Sequence, residues 1–275
     1  MFSQRREPVV SIDWLADHIN NPQLIIMDVS QDSKPVSQAL KGKCIPNSIK
    51  VNLDDFCDLS SEFPNSMVNE ENFEKLAQEL GVNEESCVVF YDNQGIYWSP
   101  RFWWMFKTMG HEHVFILNGG LPAWAENEYP TVDEYNRPLK AGNFKADYQE
   151  QYFKMFKQVD ENLQTENELI IDARSKGRFE GTEPEPRKDI KSGCIPNSVN
   201  IPFTEVLENG KFKRRPVLEQ MFAHFDHEQP LIFSCGSGIT ACIVLVASIL
   251  ADFPMGAVYD GSWTEWAMKT NQLNQ

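Results

Sequence analysis

The strongest constraint on this chain is that it is written twice. KGKCIPNSIKVNL, from Lys41, returns as KSGCIPNSVNIPF, from Lys191, so that Cys44 and Cys194 stand 150 positions apart. Three further matches keep the same order. LIIMDVS ending at Ser30 answers LIIDARS ending at Ser175, VVFYDNQGIYWSPR answers LIFSCGSGITACIV, and NGGLPAW ending at Trp124 answers DGSWTEW ending at Trp266. Four ordered matches at nearly one offset mean a duplicated unit, and 275 residues suffice for two units that each bury a core. The expected domains are residues 8–136 and 152–273, joined by a polar linker over 137–151.

Within each half, short β-branched runs alternate with helix-like segments. The first half offers Leu24–Val29, Val88–Tyr91 and Val114–Leu117; the second offers Leu169–Ala173, Leu231–Ser234 and Ala257–Asp260. Strands that alternate with helices predict an α/β fold of two tandem domains, each a parallel sheet with helices on both faces. The apolar run Ala241–Ala251 is too long for a strand and too short to cross a bilayer, so it reads as a buried helix. A soluble, cytoplasmic protein is expected, with no membrane partner.

Charge narrows the partners. Forty acidic against 25 basic residues give a net charge of −15, a field that repels phosphate backbones and excludes nucleic acid as an expected partner. The same field opposes an anionic substrate, so a site for one needs its own arginines. Six cysteines without a C-x-x-C pair, and without ligand spacing to the five histidines, predict neither a disulfide framework nor a metal site.

One cysteine is placed for chemistry. Cys235 opens the loop Cys-Gly-Ser-Gly-Ile-Thr between an apolar strand and the buried helix. Amide N–H groups converging at a helix N-terminus favour a thiolate over a thiol, and Gly236 and Gly238 let the loop curl around the sulfur. A small residue filling a tight turn is the plain alternative for such a cysteine. The repeat decides between them, because the corresponding position in the first half is Asp92: one copy keeps a nucleophile and the other lacks it.

CGSGIT, followed by ACIV and later by YDGSWTEW, resembles the active-site loop of rhodanese-type sulfurtransferases, and the resemblance runs over nearly the whole chain. It implies two rhodanese-like domains, the first inactive and the second active, and a Cys235 persulfide. Loops reading Cys-Gly-Ser-Gly-Val-Thr mark family members that use 3-mercaptopyruvate, whereas Cys-Arg-Lys-Gly-Val-Thr marks those that use thiosulfate. This loop is of the former kind, with Ile239 for Val. A small dianion gains from cationic side chains beside the sulfur, and Gly236 and Ser237 supply none. The carboxylate of 3-mercaptopyruvate lies several atoms from its sulfur, so its counter-charge belongs outside the loop.

Arg178 and Arg187 lie in GRFEGTEPEPR, close to a family signature whose arginines are taken to bind the donor's carboxylate and ketone. The alternative for each is a solvated ion pair with Glu180, Glu183 or Glu185. The resemblance also implies catalytic roles for Ser237 and for Asp54, the latter as part of a relay with a histidine. Here Asn65 occupies the histidine's place, and an amide cannot exchange a proton near neutral pH, which sets a strict relay in doubt. Gly236, Gly238, Ile239 and Thr240 are expected to line the bound donor, with the Ser237 and Thr240 hydroxyls on its sulfur or carbonyl; for Thr240 a cap on the following helix is the plainer role. Cys44 and Cys194, equivalent in the two halves, read as packing residues.

The expected reaction moves the sulfur of 3-mercaptopyruvate through Cys235 to a thiol, thioredoxin or cyanide, releases pyruvate, needs no cofactor and is carried out by a monomer. Two other readings stay open: a thiosulfate sulfurtransferase, and a non-catalytic persulfide-relay module. A cysteine phosphatase would need arginine six positions after the cysteine, where this chain has Ala241.

Overall fold

The protein is described by a computed structural model covering residues 7–138 and 140–271. Residue 139 of the expected linker and the end of the expected second domain, 272–273, lie outside the described residues.

The first half supplies strands β1 (Val9–Val10), β2 (Leu24–Asp28), β3 (Ser48–Lys50), β4 (Cys87–Tyr91) and β5 (Val114–Leu117), with helices α1 (Ile12–His18), α2 (Glu70–Glu79), α3 (Ser99–Thr108) and α4 (Gly120–Glu126). In the second half come β6 (Phe153–Lys154), β7 (Leu169–Asp172), β8 (Val199–Asn200), the antiparallel pair β9 (Leu207–Glu208) and β10 (Lys211–Phe212), then β11 (Leu231–Ser234) and β12 (Ala257–Tyr259). Its helices are α5 (Phe156–Thr165), α6 (Lys176–Phe179), α7 (Arg215–Phe222), α8 (Ala241–Leu250) and α9 (Ser262–Lys269).

Two five-stranded sheets result, ordered β1-β5-β4-β2-β3 and β6-β12-β11-β7-β8, and every pairing within them is parallel. The duplication is thus literal in the topology. Leu24 pairs with Cys87 in one sheet as Leu169 pairs with Leu231 in the other. The central strands β4 and β11 are buried along their whole length, as expected of a parallel sheet covered on both faces. The run beginning at Ala241 forms α8, with Ala241–Ser248 entirely buried, which explains why it carries no amphipathic pattern. No helix among the described residues is long and apolar enough to cross a membrane.

Two compact units contain these sheets. Of the described residues, one comprises 7–57, 68–138, 140–149 and 207–212; the other comprises 58–67, 150–206 and 213–271. Each unit therefore includes a short segment from the opposite half of the chain. In the first unit, Phe212 donates its N–H to the Asn118 side chain at 3.0 Å. In the second, Met67 donates its N–H to Asp260 at 2.9 Å, so the 58–67 segment is tied to the residue that follows β12.

A candidate active site on the loop after strand β11

The first unit shows what this loop does when its leading residue is acidic. Asp92 follows β4 and is wholly buried. Its carboxylate accepts from the amides of Tyr97 (3.0 Å), Trp98 (2.9 Å) and Ser99 (3.0 Å), from the Ser99 hydroxyl (2.8 Å), and through its other oxygen from the Gln94 amide (3.0 Å). A strand-to-helix loop of this protein is therefore an anion cradle, and in this copy its own carboxylate fills it.

In the second unit Cys235 takes the equivalent place, after β11 and ahead of α8, and is 2% exposed. The loop's main chain is held from one side by the start of α9. Cys235 N–H donates to Ser262 Oγ at 3.1 Å, while the amides of Trp263 and Thr264 donate to the carbonyls of Cys235 (3.0 Å) and Gly236 (3.1 Å). Thr264 Oγ1 also donates to the Gly236 carbonyl, at 2.7 Å. These bonds turn the first two loop carbonyls toward α9.

Arg178 comes to this loop from α6. A Cβ on residue 236 would stand 2.9 Å from Arg178 Nη2, so the guanidinium occupies the space that glycine leaves. It is not free to withdraw, because Nε (3.1 Å) and Nη2 (2.5 Å) both donate to Glu185 Oε2. The other Glu185 oxygen accepts from Arg174 Nη1 at 2.7 Å, and Arg174 forks onto Asp172 at the end of β7. Arg174 also lies over the Trp263 ring, 4.6 Å from its centre. Burial raises the Asp172 carboxyl above its ordinary range, and the Arg174 guanidinium pulls against that rise. Glu185 is consequently not the solvated partner the sequence suggested: it is 9% exposed and bridges two guanidinium groups. The spacing Arg178-x6-Glu185 was visible, but nothing in it distinguished a buried bridge from the neighbouring exposed Glu180 and Glu183.

The remaining expected residues divide. Ser237 is met by Asn65, whose side-chain Nδ2 donates to Ser237 Oγ (2.9 Å) and to its carbonyl (3.2 Å); both residues belong to the second unit. Asn65 adopts a left-handed backbone, φ 60°, which asparagine tolerates better than most residues. Gly238 and Ile239 are buried in the loop. Thr240 stands at the N-cap position of α8 but makes no side-chain cap bond, because its φ −74° and ψ −17° are already helical, whereas a capping hydroxyl needs an extended backbone.

Arg187 is exposed, and no hydrogen bond or ion pair joins its side chain to residues 235–240 among the described residues. Asp54 is exposed at the start of a single 3₁₀ turn, Asp54–Phe56, in the first unit. Cys44 is buried, with its thiol 3.5 Å from the Val132 and Glu134 carbonyls, but Cys194 is exposed, so packing accounts for only the first of that pair.

Comparison with known proteins agrees with the duplicated geometry. A family profile described as rhodanese-like domain matches residues 11–127 and again 155–269. The chain is 35% identical over 274 residues to 3-mercaptopyruvate sulfurtransferase of Homo sapiens, covering 95% of this chain and 92% of that one. It is 37% identical over 273 residues to thiosulfate sulfurtransferase of Rattus norvegicus, covering 94% and 91%. The crystal structure of SseA from Escherichia coli, a 3-mercaptopyruvate enzyme by its description, superimposes with a TM-score of 0.82 at 32% identity, covering 94% of this chain and 99% of that one. With two family domains on two parallel sheets and full-length relatives of one reaction class, the chain belongs to the rhodanese family as a two-domain sulfurtransferase.

Proposed function

We propose that the second unit transfers sulfur from 3-mercaptopyruvate by way of a Cys235 persulfide. Overall identity does not choose the donor, since relatives of both donor classes match at 35% and 37%. The observation that carries the choice is the fit of the Arg178 guanidinium into the space left by Gly236. A cationic side chain at position 236 would displace that guanidinium, so this loop and this arginine suit a donor whose charge lies away from the sulfur. Arg187, exposed on the same segment, is the second cation assigned to the donor's carboxylate, on the strength of the motif it shares with Arg178.

In the first half-reaction the Cys235 thiolate attacks the donor's sulfur. A sulfur–sulfur bond forms, the carbon–sulfur bond breaks, and its electron pair remains on carbon as the enolate of pyruvate. The proton that the donor thiol loses balances the one that carbon gains. Ser237 supports this step. Its oxygen accepts from Asn65, which leaves its own O–H to donate to the ketone oxygen where negative charge develops. In the second half-reaction a thiol, reduced thioredoxin or cyanide attacks the outer sulfur and regenerates the thiolate. No step is assigned to Asp54.

Steady-state pyruvate release and thiosulfate consumption, measured with the same acceptor, test the reading. A higher kcat/KM with 3-mercaptopyruvate is expected. A higher value with thiosulfate would transfer the assignment to the second donor class, which the match to the rat enzyme keeps in play.

A further inference from the structure

The two copies of the duplicated unit differ where α4 and α9 begin, and the difference falls on the nucleophile. NGGLPAW and DGSWTEW align residue for residue, pairing Gly120 with Ser262, Leu121 with Trp263 and Pro122 with Thr264. The backbone repeats faithfully: Gly120 has φ 53° and Ser262 has φ 51°. One contact is common to both copies. Leu121 N–H donates to the carbonyl of Asp92 (3.0 Å), as Trp263 N–H does to the carbonyl of Cys235 (3.0 Å).

The other contacts belong to the second copy alone. Ser262 Oγ accepts the Cys235 N–H and donates to the Tyr259 carbonyl at 2.8 Å, whereas Gly120 has no hydroxyl. Thr264 gives both its amide and its hydroxyl to the Gly236 carbonyl, whereas Pro122 has neither an amide hydrogen nor a hydroxyl. Moreover, the left-handed conformation costs glycine nothing and costs serine something. The first copy keeps the inexpensive residue, while the second holds a wholly buried serine in the strained one. Strain retained beside a nucleophile, and absent from the inert duplicate, is the pattern of a positioning device.

We propose that Ser262 and Thr264 are positioning residues that clamp the Cys235–Gly236 main chain, directing the first two carbonyls toward α9 so that the loop amides face the Cys235 sulfur. Asp92 needs no such clamp, because its carboxylate ties its own loop through five donors. The inference rests on Cys235 being the sulfur carrier and is separable from the identity of the donor.

The test is the pH dependence of iodoacetamide modification of the Cys235 peptide, followed by mass spectrometry in the full-length protein, with Tm recorded for every variant and with sulfur uptake from 3-mercaptopyruvate measured in parallel. Ser262→Ala and the isosteric Thr264→Val are expected to move the half-maximal pH upward by about half a unit or more, a roughly threefold loss of thiolate at fixed pH. Thr264→Ser should restore it. Ser262→Gly releases the strain without replacing the hydroxyl, so its Tm should exceed that of Ser262→Ala while its reactivity stays equally low. Reactivity that followed Tm, or half-maximal pH values matching the parent protein, would overturn the clamp. Absence of sulfur uptake by the parent protein, together with shifted variants, would sink the donor assignment and leave the clamp standing.

Discussion

At the scale of single residues the site rests on a few exchanges between copies of one motif. Asp92 and Cys235 occupy one position with opposite consequences: the carboxylate accepts the amides of its own loop, and the thiol, in the proposed reaction, leaves its loop to hold a charge that comes and goes with turnover. Cys235→Ser should therefore abolish pyruvate release while leaving Tm within a few degrees, and thermal unfolding beside the activity assay checks both. Glu185→Gln removes the bridge between Arg174 and Arg178. With its side chain only 5% exposed and that of Arg174 fully buried, the loss should cost on the order of 2–4 kcal/mol of stability and raise the donor KM. An unchanged KM would mean that Arg178 is not oriented by Glu185. Arg178→Ala should raise KM by about tenfold or more, the range of one charge-assisted hydrogen bond. Cys235 and Arg178 were legible as candidates because both sit in motifs. The contacts of Asn65, Ser262 and Thr264 were not, since each has a partner far away in sequence, and that of Glu185 was not because it turns on burial that spacing alone does not reveal.

At the scale of elements, the central strands and α8 could be read because burial on both faces demands uninterrupted apolar runs, and the chain supplies them. The edge strands β1, β3, β6 and β8 escaped notice, being two or three residues long and too short to show a period. Element packing also sets a pH dependence. His111, just beyond α3, donates Nε2–H to the Ser86 carbonyl at 2.8 Å, and burial pushes its pKa down to about 4. The folded state thus holds a neutral ring that the unfolded chain protonates near its ordinary value of about 6.5. Because the folded value is depressed, stability is full above about pH 6.5 and is lost progressively as pH falls toward 4, by up to about 3 kcal/mol. Chemical denaturation at neutral pH and at mildly acidic pH should show that loss, and a His111→Leu variant should show a shallower slope. Equal slopes would place the acid sensitivity elsewhere.

At the scale of the whole molecule, duplication explains the architecture, while the distribution of short segments explains why the halves are not interchangeable with the compact units. Residues 58–67 belong with the second sheet, where Asn65 and Met67 bond Ser237 and Asp260. A fragment beginning at residue 137 lacks them and should unfold at a lower temperature than the full chain, with reduced sulfur uptake. A fragment as stable and active as the full chain would show those contacts to be dispensable. The central claim, that Cys235 carries sulfur taken from 3-mercaptopyruvate, is tested most directly by the mass of the intact protein after brief exposure to that compound and, in parallel, to thiosulfate, with peptide mapping. The account predicts a gain of one sulfur, about 32 Da, on the Cys235 peptide with 3-mercaptopyruvate. A gain with thiosulfate alone, on another cysteine, or with neither compound would contradict it.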